Sequence, residues 1–475
     1  MLVRQIVDSK LAQFAYLVGC PRTGEAIIID PERDVDRYFD EAARHKLRIV
    51  AAVDTHIHAD YLSGLREMAE RGVLVYASGE GGADWQYEWL RHSEYAHRLL
   101  AHGDSFSVGF IEFKVVHTPG HTPEHLSYLV RDAGGGATDF VALASGDFVF
   151  VGDVGRPDLL ERAAGMVGVM EPSARAQFGS IQREFRTLPE FLQVWPAHGA
   201  GSACGKSLGD VPTSTVGYEL RTNRSIKAAS DEQGFVDFIL AGQPEPPQYF
   251  ARMKRDNRRG PDLLGALPAP QRVDLGELEG LQRRRDIAVL DTRPRRAFFE
   301  GHIAGAILAE LDYQFCAIAG SYVEEHTPIF LVVDEARVDE AVRGLVRVGL
   351  DRVVGYLTPQ MLDAFAAGGG RLARTETIDM AELERRRAAG HAHVLDVRGT
   401  AEFELGHVAG ALHIPHTRVH ALVTSLPTDA PLLVHCNSGA RAAAAVSVLE
   451  RSGFQALHVN DMFANYCQID LPGQR

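Results

Sequence analysis

At 475 residues the chain is too long for one hydrophobic core, and at roughly 100 to 200 residues per domain it divides into a few. Its 45% hydrophobic and 24% charged residues exclude wholesale disorder. A formal net charge of -14 argues against nucleic acid or an anionic membrane as the main partner, since both need a basic face.

The opening MLVRQIVDSKLAQFAYLVGC alternates apolar and polar residues like a pair of strands and holds no long apolar run. Neither a signal peptide nor a membrane span is expected, and a cytoplasmic protein is the default reading. Cys20, Cys204, Cys316, Cys436 and Cys467 are scattered, odd in number and without a CxxC pair. They fit individual thiols in a reducing compartment rather than a disulfide framework or structural zinc.

Next comes LRIVAAVDTHIHADY, an apolar strand ending in His56-x-His58 with Asp60 just beyond. Two imidazoles at strand spacing face the same side. Three more strand-end segments follow: VVHTPGHTPEHLSY with His121, FVALASGDFVFVGDVGRPDL with Asp147, and FLQVWPAHGAGSACGK with His198, Cys204 and Lys206. Four loops that each offer a nitrogen or oxygen donor point to a metal centre. His92, His97, His102, His391 and His393 lack such context and read as surface residues, while His117 is open.

GQPEPPQYFARMKRDNRRGPD reads as a linker. Beyond it, Val289-Leu-Asp-Thr-Arg293 and Gly301-His-Ile-Ala-Gly-Ala-Ile307 recur 105 residues later as Val394-Leu-Asp-Val-Arg398 and Gly406-His-Val-Ala-Gly-Ala-Leu412. That period is the size of a domain, so the second half reads as two copies of one α/β module with a parallel sheet. Each copy has an Arg-rich helix, 278–285 or 381–387, and a second apolar strand, 329–333 or 432–435. In the last copy this strand runs into Cys436-Asn-Ser-Gly-Ala-Arg441 and a helix, where loop amides and a helix N-terminus would favour a nucleophilic thiolate. In the first copy Asp334 stands in that place on a shorter loop, and the module reads as inert and architectural.

Asp-x-Arg, Gly-His-(Ile/Val)-Ala-Gly-Ala and Cys-x-x-x-x-Arg together resemble the rhodanese (sulfurtransferase) family. The resemblance implies that Cys436 carries a persulfide sulfur, steadied by the loop amides and Arg441. Thr-His-x-His-x-Asp, Thr-Pro-Gly-His-Thr, Gly-Asp and Pro-x-His-Gly resemble the metallo-β-lactamase fold and imply an αββα sandwich with metal at one edge. Hydrolases of that fold close the first motif with a histidine that helps hold a second metal, but here the position is Tyr61. A phenol is a poor replacement for imidazole.

One metal is therefore expected, held by His56, His121 and Asp147, an arrangement that suits non-haem Fe(II). Within the fold this is similar to the persulfide dioxygenases, and the likeness implies that Arg156 and Asp158 support the pocket. His58, Asp60 and His198 fall to a supporting shell or an alternative second metal site. Cys204 reads either as a small packing residue or, by likeness to fusions with a Gly-Ser-Ala-Cys-Gly-Lys segment, as a sulfur acceptor, with Lys206 beside an anionic substrate.

The expected organisation is an α/β multidomain chain. Residues 1–259 form a metallo-β-lactamase-fold persulfide dioxygenase domain, 260–372 a degenerate rhodanese-like domain and 373–475 an active rhodanese domain. The resemblance implies one Fe(II) per chain, a low-molecular-weight thiol persulfide, O2 and sulfite as reactants, and thiosulfate as product. A homo-oligomer is expected, with neither nucleic acid nor membrane as partner. The alternatives are a zinc hydrolase of thioesters similar to glyoxalase II and a non-enzymatic sulfur carrier or sensor.

Overall fold

The computed structural model describes residues 1–163 and 165–468. They form two compact units, Met1–Ala266 with Val346–Gly349, and Leu267–Leu345 with the described part of the chain from Leu350 onward.

In the first unit, β1 (Leu2–Asp8), β2 (Gln13–Cys20), β3 (Glu25–Ile29), β4 (Arg48–Val53), β5 (Leu74–Ser78) and β6 (His97–Leu100) form one six-stranded sheet in chain order. A second has the order β12 (Ser214–Thr215), β11 (Gln193–Pro196), β10 (Ala142–Gly146), β9 (Leu126–Asp132), β8 (Ile111–His117), β7 (Ser105–Val108). Alternation along the strands sorts side chains into layers. Phe14, Tyr16, Val18, Ile27 and Val53 meet Phe113, Val115, Tyr128 and Trp195 in a core between the sheets. The intervening residues Leu17, Ile28 and Ala52 pack with Tyr38, Leu65 and Met68 of two helices. On the far side, Val116, Leu129 and Val194 pack with Ala174, Phe185, Phe235 and Ile239. The result is an αββα sandwich.

Part of the segment expected to be a linker is instead the helix Phe250–Arg259 of this unit. Met253 and Asn257 are buried on it. Asn257 donates to the carbonyls of His58 at 2.9 Å and Tyr61 at 2.7 Å and accepts from the Ser63 amide at 2.8 Å. The helix thereby clamps the loop that follows β4.

The second unit holds two five-stranded sheets with one topology. The first is ordered β13 (Gln271–Arg272), β17 (Val353–Leu357), β16 (Ile329–Val332), β14 (Ala288–Asp291), β15 (Ile307–Leu308). The second is ordered β18 (Thr377–Ile378), β22 (Ala456–Val459), β21 (Leu432–His435), β19 (His393–Asp396), β20 (Leu412–His413). All their pairings are parallel. The repeated motifs make the same clamp: Arg293 binds Asp291 and the Gly301 carbonyl, and Arg398 binds Asp396 and the Gly406 carbonyl. One continuous core joins the sheets, with Val289, Phe298, Leu308 and Leu357 packed together with Leu395, Val434, Ala443 and Leu449.

Among the described residues, no helix is long and apolar enough to cross a membrane.

Candidate functional site

Four loops at one edge of the sandwich, after β4, β8, β10 and β11, converge. His56, His121 and Asp147 are buried and place one ligand atom each within 4.8 Å of one another. The imidazole Nε2 atoms lie 4.0 and 3.4 Å from Asp147 Oδ2. Gly146, at φ +54°, permits this approach, because a Cβ there would stand 2.6 Å from Thr55 Oγ1 and 2.7 Å from His125 Nε2.

Each imidazole is oriented from behind. His121 Nδ1 donates to the Arg156 carbonyl at 3.0 Å, leaving Nε2 with its lone pair. Behind His56 stands a relay. Asp30 Oδ1 accepts the Thr55 amide at 2.6 Å, Asp30 Oδ2 accepts the Thr55 hydroxyl at 3.0 Å, and Thr55 Oγ1 lies 2.9 Å from His56 Nδ1. With its proton turned to Asp30, the hydroxyl accepts from Nδ1 and frees Nε2. Burial, with neighbouring imidazoles and Lys254, lowers both histidines well below the ordinary value, so both are neutral. His125 Nε2 accepts the Asp147 amide at 3.0 Å. Burial pushes His125 down to about 3, consistent with that acceptor role.

Both carboxylate oxygens of Asp147 are buried without a hydrogen-bond partner, as are Asp60 Oδ2 and His198 Nε2. Orphaned acceptors this deep are costly unless something binds them. A divalent cation suits the donor set, so the residues fit the metal ion that the fold implies.

A second group, Asp60, His198 and Cys204, is equally compact. His198 Nε2 is 3.3 Å from Asp60 and 3.5 Å from Asp147, bordering the first group. Burial and these two carboxylates push the Cys204 thiol well up. His58 belongs instead with Asp30 and Asp54. Its Nε2 is 3.2 Å from Asp30 and 3.0 Å from the Tyr61 hydroxyl, and the Tyr61 ring stacks on it at 4.4 Å. Burial, with Asp30 and Asp60 nearby, drives the Tyr61 phenol well above its usual range, which makes it a neutral hydrogen-bonding group.

Arg156 is fully buried. It is forked onto Asp158 at 3.0 and 2.7 Å and donates to the Ala203 carbonyl at 3.0 Å, tying the His121 support to the Cys204 loop. Lys206 donates to the Phe238 and Ala241 carbonyls at 2.7 and 3.1 Å, which anchors its ammonium at a helix end.

Sequence reasoning missed Lys254, which projects from the supposed linker. Its ammonium lies 4.5 Å from the centre of the Trp85 ring, in the field of Glu124, Cys204 and Asp147, and burial lowers it to about 8. Glu124 was also missed: it accepts the Ile57 amide at 2.8 Å beside His56, and its other oxygen is unpartnered.

In the second unit, Cys436 is buried at the end of β21, and the Gly439 amide donates to its sulfur at 3.1 Å. Arg441 is forked onto Glu402 at 2.6 and 2.8 Å. A cavity of about 560 Å³ beside this loop is lined by Arg398, Glu402, Asn437, Phe463 and Cys467, among others. At the matching point of the other sheet, Asp334 opens a short turn whose Arg337 amide bonds back to its carbonyl at 2.8 Å.

The metallo-beta-lactamase superfamily pattern matches residues 9–198, and that of the rhodanese-like domain matches 379–465. Bovine (Bos taurus) mitochondrial persulfide dioxygenase ETHE1 is 28% identical over 204 residues, 42% of this chain and 68% of its own. A hydroxyacylglutathione hydrolase of Actinobacillus pleuropneumoniae is 28% identical over 185 residues, 38% of this chain and 65% of its own, so the chain spans just under two thirds of that relative. A solved metallo-beta-lactamase from Staphylococcus aureus subsp. aureus COL is 39% identical, with a TM-score of 0.68, and the match covers 76% of this chain and 99% of that one. The chain belongs to the metallo-beta-lactamase superfamily, and it carries a rhodanese-like domain in its C-terminal part.

Proposed function

We propose that the first unit oxidises a low-molecular-weight thiol persulfide with O2 at one mononuclear ferrous ion, and that Cys436 converts the resulting sulfite to thiosulfate. In the first reaction RSSH, O2 and water give RSH, sulfite and two protons, so the sulfane sulfur loses four electrons and dioxygen gains them. A second persulfide loads Cys436 and releases its thiol. Sulfite then attacks the outer sulfur, the S–S bond breaks, thiosulfate leaves and the Cys436 thiol returns.

The observation that carries this reading is the set of two imidazoles and one unpartnered carboxylate, with His58 turned away from it to Asp30 and the Tyr61 hydroxyl. His56, His121 and Asp147 would hold the iron, and when bound it supplies the redox chemistry by which sulfane sulfur and dioxygen react together. The chain's own residues do the rest. Arg156 and Thr55 fix the imidazole tautomers. Lys254, on its Trp85 platform, attracts the anionic end of the persulfide carrier. Asp396 and Arg398 shape the cavity beside the Cys436 loop, and the Gly439 amide points at the reacting sulfur. The cysteine-free sheet is a degenerate rhodanese module.

Anaerobic reconstitution with Fe(II), followed by oxygen uptake and sulfite measurement with glutathione persulfide, tests the first half. Oxygen consumption in proportion to bound iron is expected, and a protein active only as a zinc form with no oxygen uptake overturns it. A second reading, zinc-dependent hydrolysis of glutathione thioesters, is favoured by the hydrolase relatives and by the Asp60, His198 and Cys204 group as a second metal position. Turnover of S-lactoylglutathione by zinc-refilled protein would select it.

A further inference from the structure

We infer that the cysteine-free module is a positioning element for the Cys436 loop, acting through Arg295 and Phe299 on one face of the helix Arg295–Glu300. The inference rests on Cys436 being the transferring thiol.

Gly439 is the pivot of that loop. Its amide donates to the Cys436 sulfur at 3.1 Å, and its backbone then turns into the following helix at φ +86°, a conformation natural to glycine. Two residues from the end of the last sheet hold it there. His458, fully buried, has its Nε2 2.9 Å from the Gly439 carbonyl. Burial lowers His458 to about 4, so the ring is neutral and donates through that nitrogen. Asn460 closes the other side: a Cβ on Gly439 would stand 2.6 Å from Asn460 Oδ1.

Both grips are braced by the module that lacks the cysteine. Arg295 Nε donates to Asn460 Oδ1 at 3.2 Å, and the Phe299 ring packs on the His458 ring with centroids 4.5 Å apart. Arg295 and Phe299 are four residues apart on a helix, so they present together. That helix follows Asp291 and Arg293, the first copy's version of the clamp that in the last copy flanks the reactive loop. The first copy has Asp334 where the other has its thiol, and its helix reaches the residues that hold the other copy's loop. Neither Arg295 nor Phe299 lines the cavity, and their contacts with the last copy's Asn460 and His458 are the route by which they act.

The test uses the full chain carrying Arg295→Ala, Asn460→Ala, the pair, and Arg295→Lys. Sulfur transfer from glutathione persulfide to sulfite is measured alongside oxygen uptake, thermal stability and the rate of iodoacetamide capture of Cys436. Each single alanine variant is expected to lower kcat for transfer and the capture rate by about fivefold to tenfold, with KM within twofold and oxygen uptake unchanged. The pair is expected to be no worse than the worse single variant, because the two residues form one linkage, and Arg295→Lys to recover part of the loss. Unchanged kcat and capture rate in Arg295→Ala, fully multiplicative losses in the pair, or losses that track a falling melting temperature would each overturn the inference. The capture rate reads the loop whether or not transfer occurs. Full transfer by a Cys436→Ser protein would refute the proposed function, whereas an unaltered capture rate would refute only the bracing.

Discussion

Asp30→Asn should weaken metal binding at a site that Asp30 need not touch. Asp30 sits at φ +52°, which asparagine tolerates, so the backbone needs no adjustment. Its Oδ1 accepts from two neighbours, the Thr55 amide at 2.6 Å and His58 Nε2 at 3.2 Å, and the amide oxygen of asparagine takes that place. The amide nitrogen must then replace Oδ2, 3.0 Å from the Thr55 hydroxyl. There it can only donate, so the hydroxyl becomes the acceptor and turns its own proton toward His56 Nδ1, 2.9 Å away. The favoured tautomer of His56 then carries its proton on Nε2, the nitrogen that faces Asp147. Loss of one orienting partner behind a metal-bound histidine typically costs tenfold to a hundredfold in affinity, about 1.4 to 2.7 kcal/mol. Anaerobic titration against a chromophoric chelator, for Fe(II) and separately for Zn(II), measures the shift, and circular dichroism checks the fold. In a Thr55→Val background the same Asp30→Asn change should have little further effect on affinity, because the hydroxyl that transmits it is gone. A folded Asp30→Asn protein that binds metal as tightly as its parent refutes the relay.

Cys436→Ser should abolish thiosulfate formation while oxygen uptake with glutathione persulfide persists, so that sulfite accumulates to match the oxygen consumed; ion chromatography reads both products. Lys254→Met removes the cation over Trp85 and should raise KM for glutathione persulfide about tenfold. It should leave KM for an uncharged alkyl persulfide within twofold, and equal effects on both would reject the role. For Glu450, burial raises the carboxyl to about 7 from a usual 4.5, and Thr375 partly offsets this. Folding thus favours the protonated form: that stabilisation is complete below pH 4.5 and is lost as pH rises through 7. The side chain is a quarter exposed, so the loss is on the order of 1 to 2 kcal/mol. Glu450→Gln should therefore melt higher than the parent at about pH 8.5 and no higher at about pH 4, by scanning calorimetry of the full chain.

Much of the first unit was legible because each donor stands at a strand end in a short motif. Apolar runs mark β4, β10 and β11, alternation marks β8, and their ends meet at one edge of the sandwich from its two sheets. The grouping of donors was less so: His-x-His-x-Asp spacing does not say that His58 turns to Asp30 while Asp60 meets His198 and Cys204. Asp30 escaped notice because it follows a strand without a motif and works through a hydroxyl on another loop. The helix Phe250–Arg259 reads as linker because prolines and a run of charge surround it, although Met253 and Asn257 recur on one of its faces. The expectation that Lys206 serves an anionic substrate came from a motif; the carbonyls that hold it lie over thirty residues away, at the end of the helix Glu232–Leu240. Composition says nothing of such a docking.

The joint core of the two five-stranded sheets constrains how this chain can change over time. Helix Ala440–Arg451 lies against β15 of the neighbouring copy, the Ser447 hydroxyl caps the Leu308 amide at 2.9 Å, and Arg451 reaches the Gly305 and Ile287 carbonyls. A chain without the copy that lacks the thiol would leave Ser447 and Arg451 without these partners and uncover the part of the helix that packs on β15. Lacking a thiol therefore does not make that copy dispensable, because it supplies part of a shared interior.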